Sequence, residues 1–256
     1  MNKKKIHLVA EIGCNHMGQL NLAKLMIDQA KHAGVDYVKF QKRDNKTLLT
    51  NKQYYGKHPV PHNSFGKTYG EHREYLEFNT DVHKELFKYC RRKKIKYSCS
   101  VWDVTSAKQI SKICEQYIKV PSATNLNFEV LDFLCSKYFG DIHISTGMTS
   151  EDEVDTIFEF IKKRKRLKNL VLYSCVSAYP TDIKDTCLLD VKKLSEEYGK
   201  YIILIESNAM QNLFAFVSSG ESVNRKASPL LEIYVSVYDH ILGNSFHAYM
   251  VRGPFM

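Results

Sequence analysis

The sequence predicts an α/β fold, a (β/α)8 TIM barrel, and three observations carry that expectation. Five apolar, strand-like runs each end on a polar group suited to a phosphate or carboxylate: Leu8–Glu11, Tyr37–Gln41, Ile95–Ser100, Tyr117–Ser122 and Ile142–Gly147. Segments with helical spacing of apolar residues separate them, so strand and helix alternate. That alternation gives a parallel sheet, and such barrels carry their chemistry where successive strands end. The third observation is length, since 256 residues suit one eight-stranded barrel. The last one or two strands are not defined by pattern.

The elements follow in order. A strand at Ile6–Glu11 leads to a helix near Leu20–His32, where Leu22, Leu25, Met26 and Gln29–Ala30 recur at helical spacing. Gly34 ends that helix and Val35–Phe40 starts the second strand. The stretch from Asp44 to Tyr75, rich in His, Pro, Gly, Asn and Tyr, reads as a long polar loop, and loops of that length are usually functional or mobile. Helix Asp81–Arg92 precedes a strand at Ile95–Cys99, and helix Ala107–Cys114 precedes one at Gln116–Pro121. Helices Phe128–Tyr138 and Glu151–Arg164 flank strand Ile142–Ser145. Leu170–Cys175, helix Asp190–Tyr198 and Tyr201–Ile205 continue the series, and Leu230–Val237 is a further strand-like run. Residues 1–203 thus read as the barrel core and residues 204–256 as a divergent C-terminal part of it.

Composition narrows the function classes. A hydrophobic content of 44% supports a substantial core and excludes a disordered chain. No stretch approaches the roughly 20 apolar residues of a membrane span. The N-terminus MNKKKIHLVAEIG reads as the first strand rather than a signal peptide. Seven cysteines without a CxxC pair suit a reducing cytoplasm. The net charge of +9 is concentrated in Lys3–Lys5, Arg91–Lys94 and Lys162–Lys168. Without interleaved aromatics these read as solvated helix ends rather than a nucleic-acid surface, and the field they produce would attract an anionic substrate.

Seven motifs occur in register: AEIGCNHMG (Ala10–Gly18), VKFQ (Val38–Gln41), SFGKTYGEHR (Ser64–Arg73), CSVWD (Cys99–Asp103), IKVPSA (Ile118–Ala123), ISTGM (Ile144–Met148) and CVSAYP (Cys175–Pro180). Together they resemble the synthase domain of the N-acetylneuraminate (sialic acid) synthase family. That resemblance implies a barrel that condenses phosphoenolpyruvate with N-acetylmannosamine or a related 2-acylamino sugar, using a divalent metal, Mn2+ or Mg2+. Lys39, Lys119, Ser122, Ser145, Thr146 and Gly147 fall on positions that bind phosphoenolpyruvate in the family, joined by Ser100 and Ser177. Glu11 falls on a carboxylate that acts near the reacting carbons, and Asn15, His16 and Gln41 would face the sugar. The residue types fit: phosphate and carboxylate carry about three negative charges, matched by two lysines plus hydroxyl and backbone donors. The Ser145–Gly147 turn suits backbone N–H groups approaching an anion. Taken alone, Lys39 would be a lysine snorkelling to solvent and Glu11 a helix cap; the joint pattern favours a site.

From about Leu204 the resemblance fails. The family's two metal-binding histidines fall on stretches that read IESNAMQN (Ile205–Asn212) and ESVNRK (Glu221–Lys226), without histidine. His240 in YDHILG has similar neighbours but lies too late in the chain. Codons for HAYMVRGPFM (His247–Met256), shifted by one nucleotide, can encode MHIWSEDHS, which resembles the family's Trp-x-x-Asp-His-x-x-Ser region, so one reading is a tail out of frame. The chain also ends before the family's small antifreeze-like domain, which reaches the partner subunit's site in a swapped dimer. The expectations are small-molecule substrates, no nucleic acid or membrane, and a homodimer as one arrangement. The alternative is a non-catalytic remnant that keeps the anion pocket, with strands one and seven left as open edges.

Overall fold

A computed structural model describes residues 7–176, 188–198, 202–206 and 233–235. Eight strands lie in one sheet: β1 (Leu8–Gly13), β2 (Tyr37–Lys42), β3 (Lys96–Val101), β4 (Tyr117–Val120), β5 (Asp141–Ser145), β6 (Leu170–Cys175), β7 (Ile202–Glu206) and β8 (Ile233–Val235). Their order is β7-β6-β5-β4-β3-β2-β1-β8, and every neighbouring pair is parallel. One expectation is corrected here. The outer edge of β1 is not open, because Leu8, Val9 and Ala10 pair with Ile233, Tyr234 and Val235, inside the run Leu230–Val237.

Period-two alternation along the strands makes two cores. One face of the sheet packs against helices, burying Val38, Phe40, Cys99, Ile118, Ile142 and Leu172 with Met26, Ile27, Leu86, Leu131 and Ile157. The other face gathers Val9, Tyr37, Tyr117 and Tyr173, with Val171 and Cys175 against them. Charged site residues share this second face, above its aromatic floor.

Helix boundaries follow from capping. In α1 (Leu20–His32), Ala23, Met26, Ile27 and Ala30 form the buried stripe, and Gly34, at φ +78, supplies the left-handed residue beyond the end. The expected unbroken loop after β2 is corrected, because it holds three capped helices. Asp44 caps α2 (Asn45–Leu48), Thr50 and Gln53 form a capping box on α3 (Asn51–Tyr54), and Thr68 caps α4 (Tyr69–Leu76). A polar composition hid helices whose caps are themselves Asp and Thr. Asn79 then caps α5 (Thr80–Lys93), and Asp103 caps α6 (Val104–Ile110). The series continues with α7 (Phe128–Lys137), α8 (Glu151–Lys163) and α9 (Leu188–Tyr198).

Two of the basic runs close helices, and Lys3–Lys5 lie outside the described residues. Arg91, Arg92 and Lys93 fill the last turn of α5, and Lys162 and Lys163 that of α8, where they oppose the helix dipole. Arg166 donates to the carbonyls of Cys135 (3.1 Å), Tyr138 (2.5 Å) and Gly140 (2.9 Å), closing the C-terminal end of α7.

Burial also sets the acid response. His83 on α5 is fully buried, with Nδ1 2.7 Å from the Tyr97 hydroxyl. Desolvation, then Lys42 and His16, push it down from 6.5 to about 3. The unfolded chain therefore takes up this proton first as pH falls. The stability involved is fully present above about pH 6.5 and is lost as pH drops towards 3. The melting temperature should be flat near pH 7–8 and decline below pH 6.5, with a shallower decline in His83→Gln. Equal slopes in the two proteins would count against this histidine.

Candidate active site at the C-terminal ends of the strands

Strand register assembles the site from residues far apart in sequence. Glu11 on β1 lies beside Lys39 on β2. Gln41 lies beside Ser100 on β3, and Ser100 beside Lys119 on β4. Lys119 neighbours His143 on β5, and Ser145 neighbours Tyr173 on β6. Each is on the same pleat face, so six consecutive strands present polar groups side by side.

Lys39 is fully buried, and its Nζ lies 2.5 Å from Glu11 Oε1. The lysine side chain is 1% exposed and the glutamate 25%, so the carboxylate is the member of the pair that meets solvent. Lys119 is also buried, with its ammonium 5.3 Å from the Tyr173 ring centre, a cation–π arrangement. His143 stacks on Tyr117 at 3.8 Å, and its Nδ1 is 2.5 Å from the Tyr173 hydroxyl. Desolvation, then the positive charges of Lys39 and Lys119, hold this imidazole well below its usual value. It is neutral, and the pocket keeps its positive charge on the lysines.

The turn after β5 is held from within. Thr146 donates its N–H (3.0 Å) and its hydroxyl (2.7 Å) to the Tyr173 carbonyl. Gly147 N–H donates to Ser122 Oγ at 3.0 Å. The Thr146 and Gly147 N–H groups are thus each hydrogen-bonded within the protein, and Asn125 braces the same turn. Asn125 Nδ2 donates to the Ser145 carbonyl (2.8 Å) and to Thr149 Oγ1 (2.6 Å). Asn125 is buried, so Asn125→Ala should cost about 1–3 kcal/mol by leaving those acceptors unpaired. Chemical denaturation measures it, and an unchanged midpoint would show that the turn holds itself.

At the rim, Asn15 is buried in the β1–α1 turn, its N–H on the Ile12 carbonyl. His16 is 2% exposed and stacks on Phe78 at 3.9 Å, with Nδ1 accepting the Gly18 N–H at 3.1 Å. Desolvation lowers it to about 4. Its ring packs the turn against Phe78, whereas Gln41 accepts a hydrogen bond from Arg43 Nη2. Ser177 lies outside the described residues. His143, Tyr173, Asn125 and Arg43 were missed from sequence. Alternation would have found the first, since His143 sits two residues before Ser145 on the same face.

Among the described residues no three His, Cys, Asp or Glu side chains come together in a way that could hold a metal ion. No helix among them is long and apolar enough to cross a membrane.

A parallel α/β sheet with buried lysines, a carboxylate and hydroxyls at its C-terminal strand ends defines the class of α/β proteins that carry a site on that rim. The model of the NeuB family matches residues 26–203, and the chain belongs to that family. It is 36% identical over 202 residues to N-acetylneuraminate-9-phosphate synthase of Drosophila melanogaster, covering 77% of this chain and 52% of the relative. The Homo sapiens protein of the same name is 34% identical over 193 residues, covering 75% and 52%. N,N'-diacetyllegionaminic acid synthase of Campylobacter jejuni is 26% identical over 196 residues, covering 76% and 58%. The chain spans about half the length of these relatives. In fold it is similar to an N-acetylneuraminic acid (sialic acid) synthetase from Leptospira borgpetersenii solved with citrate, at TM-score 0.71 and 23% identity, covering 92% of this chain and 74% of that one.

Proposed function

We propose that this chain carries the catalytic barrel of a synthase that joins phosphoenolpyruvate to N-acetylmannosamine or a related 2-acylamino sugar, giving a nonulosonic acid and phosphate. The observation that carries this reading is the pair of buried lysines, Lys39 and Lys119, flanking the neutral His143 with Glu11 at the mouth. Buried ammonium groups are costly unless an anion meets them. Glu11 meets Lys39, and a ligand with phosphate and carboxylate groups suits a pocket lined by both lysines.

In the proposed reaction Lys39 and Lys119 hold the phosphate and carboxylate of phosphoenolpyruvate, with Ser100, Ser122 and Ser145 as hydroxyl donors. The enol C3 attacks the open-chain sugar aldehyde and forms the new C–C bond. Water adds at C2, and phosphate leaves from the tetrahedral intermediate. Glu11, 25% exposed beside Lys39, is placed for proton transfer or for orienting that water. The divalent metal implied by the resemblance would polarise the aldehyde. No set of ligands for it is found among the described residues. The approach of β7 and β8 at the two ends of the sheet supports a closed (β/α)8 barrel, which would surround these groups.

Incubation with phosphoenolpyruvate and N-acetylmannosamine, with and without Mn2+, tests the reading. The expected result is phosphate release matched by a nonulosonic acid in the mass spectrum. Phosphoenolpyruvate binding without turnover would identify a non-catalytic anion-binding protein instead.

A further inference from the structure

Lys119 rests on a side chain that meets no solvent and has no part in the proposed reaction. The Tyr173 ring, fully buried on β6, has its centre 5.3 Å from the Lys119 ammonium. Its hydroxyl lies 2.5 Å from His143 Nδ1. His143 in turn stacks on Tyr117 at 3.8 Å with the ring planes 10° apart, and Tyr117 packs on Tyr37 at 5.3 Å. Tyr37, Tyr117, His143 and Tyr173 therefore form one column of rings drawn from β2, β4, β5 and β6, with Lys119 at its end.

The column is built as a support. Burial, then the charges of Lys39 and Lys119, keep His143 neutral, so it pairs with the hydroxyl without adding a third cation. A neutral ring beneath an ammonium stabilises the charge without cancelling it. The backbone of Tyr173 makes a second tie, since its carbonyl accepts the Thr146 N–H at 3.0 Å and the Thr146 hydroxyl at 2.7 Å. One residue thus contacts both the ammonium from β4 and the turn after β5. A lysine has a long flexible stem, and ordering it at the moment of binding costs affinity. A ring that holds the ammonium in place beforehand removes that cost.

We propose that Tyr173 is a positioning residue for Lys119, and that His143 acts through it by fixing the tilt of its ring. The effect on phosphoenolpyruvate rests on the condensation reading above; the contact between ring and ammonium does not.

Two measurements test it. In NMR spectra of protein labelled at the lysine ε-methylenes, one resonance should be displaced upfield by the Tyr173 ring current. That resonance should be missing in Lys119→Ala, return to the ordinary lysine range in Tyr173→Leu and stay displaced in Tyr173→Phe. In calorimetry, Tyr173→Leu should bind phosphoenolpyruvate about 3- to 10-fold more weakly than the wild type. In a Lys119→Ala background the leucine change should cost nothing further, because the two residues act as a unit. Tyr173→Phe keeps the ring and loses the hydroxyl, so it should lose only about twofold. His143→Phe keeps a ring on Tyr117 and removes the nitrogen; it should match Tyr173→Phe and add nothing to it. That pair of variants still decides if Tyr173→Leu folds poorly, because additive losses would overturn the proposal. A wild-type spectrum without the displaced resonance, a displacement that survives Tyr173→Leu, or an equal loss from Tyr173→Leu with and without Lys119 would also overturn it. A displaced resonance that follows these variants, in a protein that binds no phosphoenolpyruvate, would keep the positioning role and sink the condensation reading.

Discussion

Lys39→Ala is expected to weaken phosphoenolpyruvate binding by about 30-fold or more. Losing one partner of a desolvated charge pair costs about 2–5 kcal/mol, and every 1.4 kcal/mol is tenfold in affinity. Lys39 is fully buried, so its ammonium is desolvated in the free protein. The fold should survive, because Glu11 is 25% exposed and can be solvated once its partner is gone. Lys119→Ala should act in the same direction and also remove the cation from the Tyr173 ring. Calorimetry decides: wild-type affinity in either variant would place that lysine outside the site.

Glu11→Gln should separate chemistry from binding. The amide keeps the shape and a hydrogen bond to Lys39 but removes the negative charge. Loss of an acid/base group of this kind lowers turnover by about 10²- to 10⁴-fold, with a smaller change in the Michaelis constant. A second signature follows from the 2.5 Å pair. Without the carboxylate, the buried Lys39 loses a charged partner and the free protein becomes less stable. Phosphoenolpyruvate then supplies the missing anion, so the ligand-induced rise in melting temperature should exceed the wild-type rise. A change confined to the Michaelis constant would make Glu11 a binding residue.

Much of this arrangement was legible because strand ends are written in the chain by type and spacing. Val38–Gln41 and Ile118–Ser122 are apolar runs closed by polar groups, and parallel sheets put such closures together. Alternation carries more of the site than the motifs do. Lys39, Gln41 and Arg43 share one parity, as do His143 and Ser145, yet the motifs single out only part of each series. What stayed hidden depends on distant contacts. Asn125 on the Ser145 carbonyl and Arg166 on the end of α7 have no local signature, because a side chain's partner across tens of residues is set by packing. The helices after β2 were obscured for another reason. Their capping residues are the same polar types that mark a loop, and α2 and α3 are only four residues long.

The strand order has a consequence for how the chain reaches this state. From β1 to β7 every successive strand pairs with the one before it in sequence, so pairing can advance as a zipper, each step closing a loop far shorter than the chain, the longest running from Lys42 to Lys96. The pairing of Leu8 with Ile233 is different, since it must close a loop running almost the whole length between them. Loop-closure entropy rises with length, and contacts of large sequence separation slow folding. The Glu11–Lys39–Lys119–Ser145 frame therefore forms from early, local pairings, while β8 docks on β1 late. In a chain made from its N-terminus, the anion pocket can be assembled before the residues that seal the first strand have been synthesised.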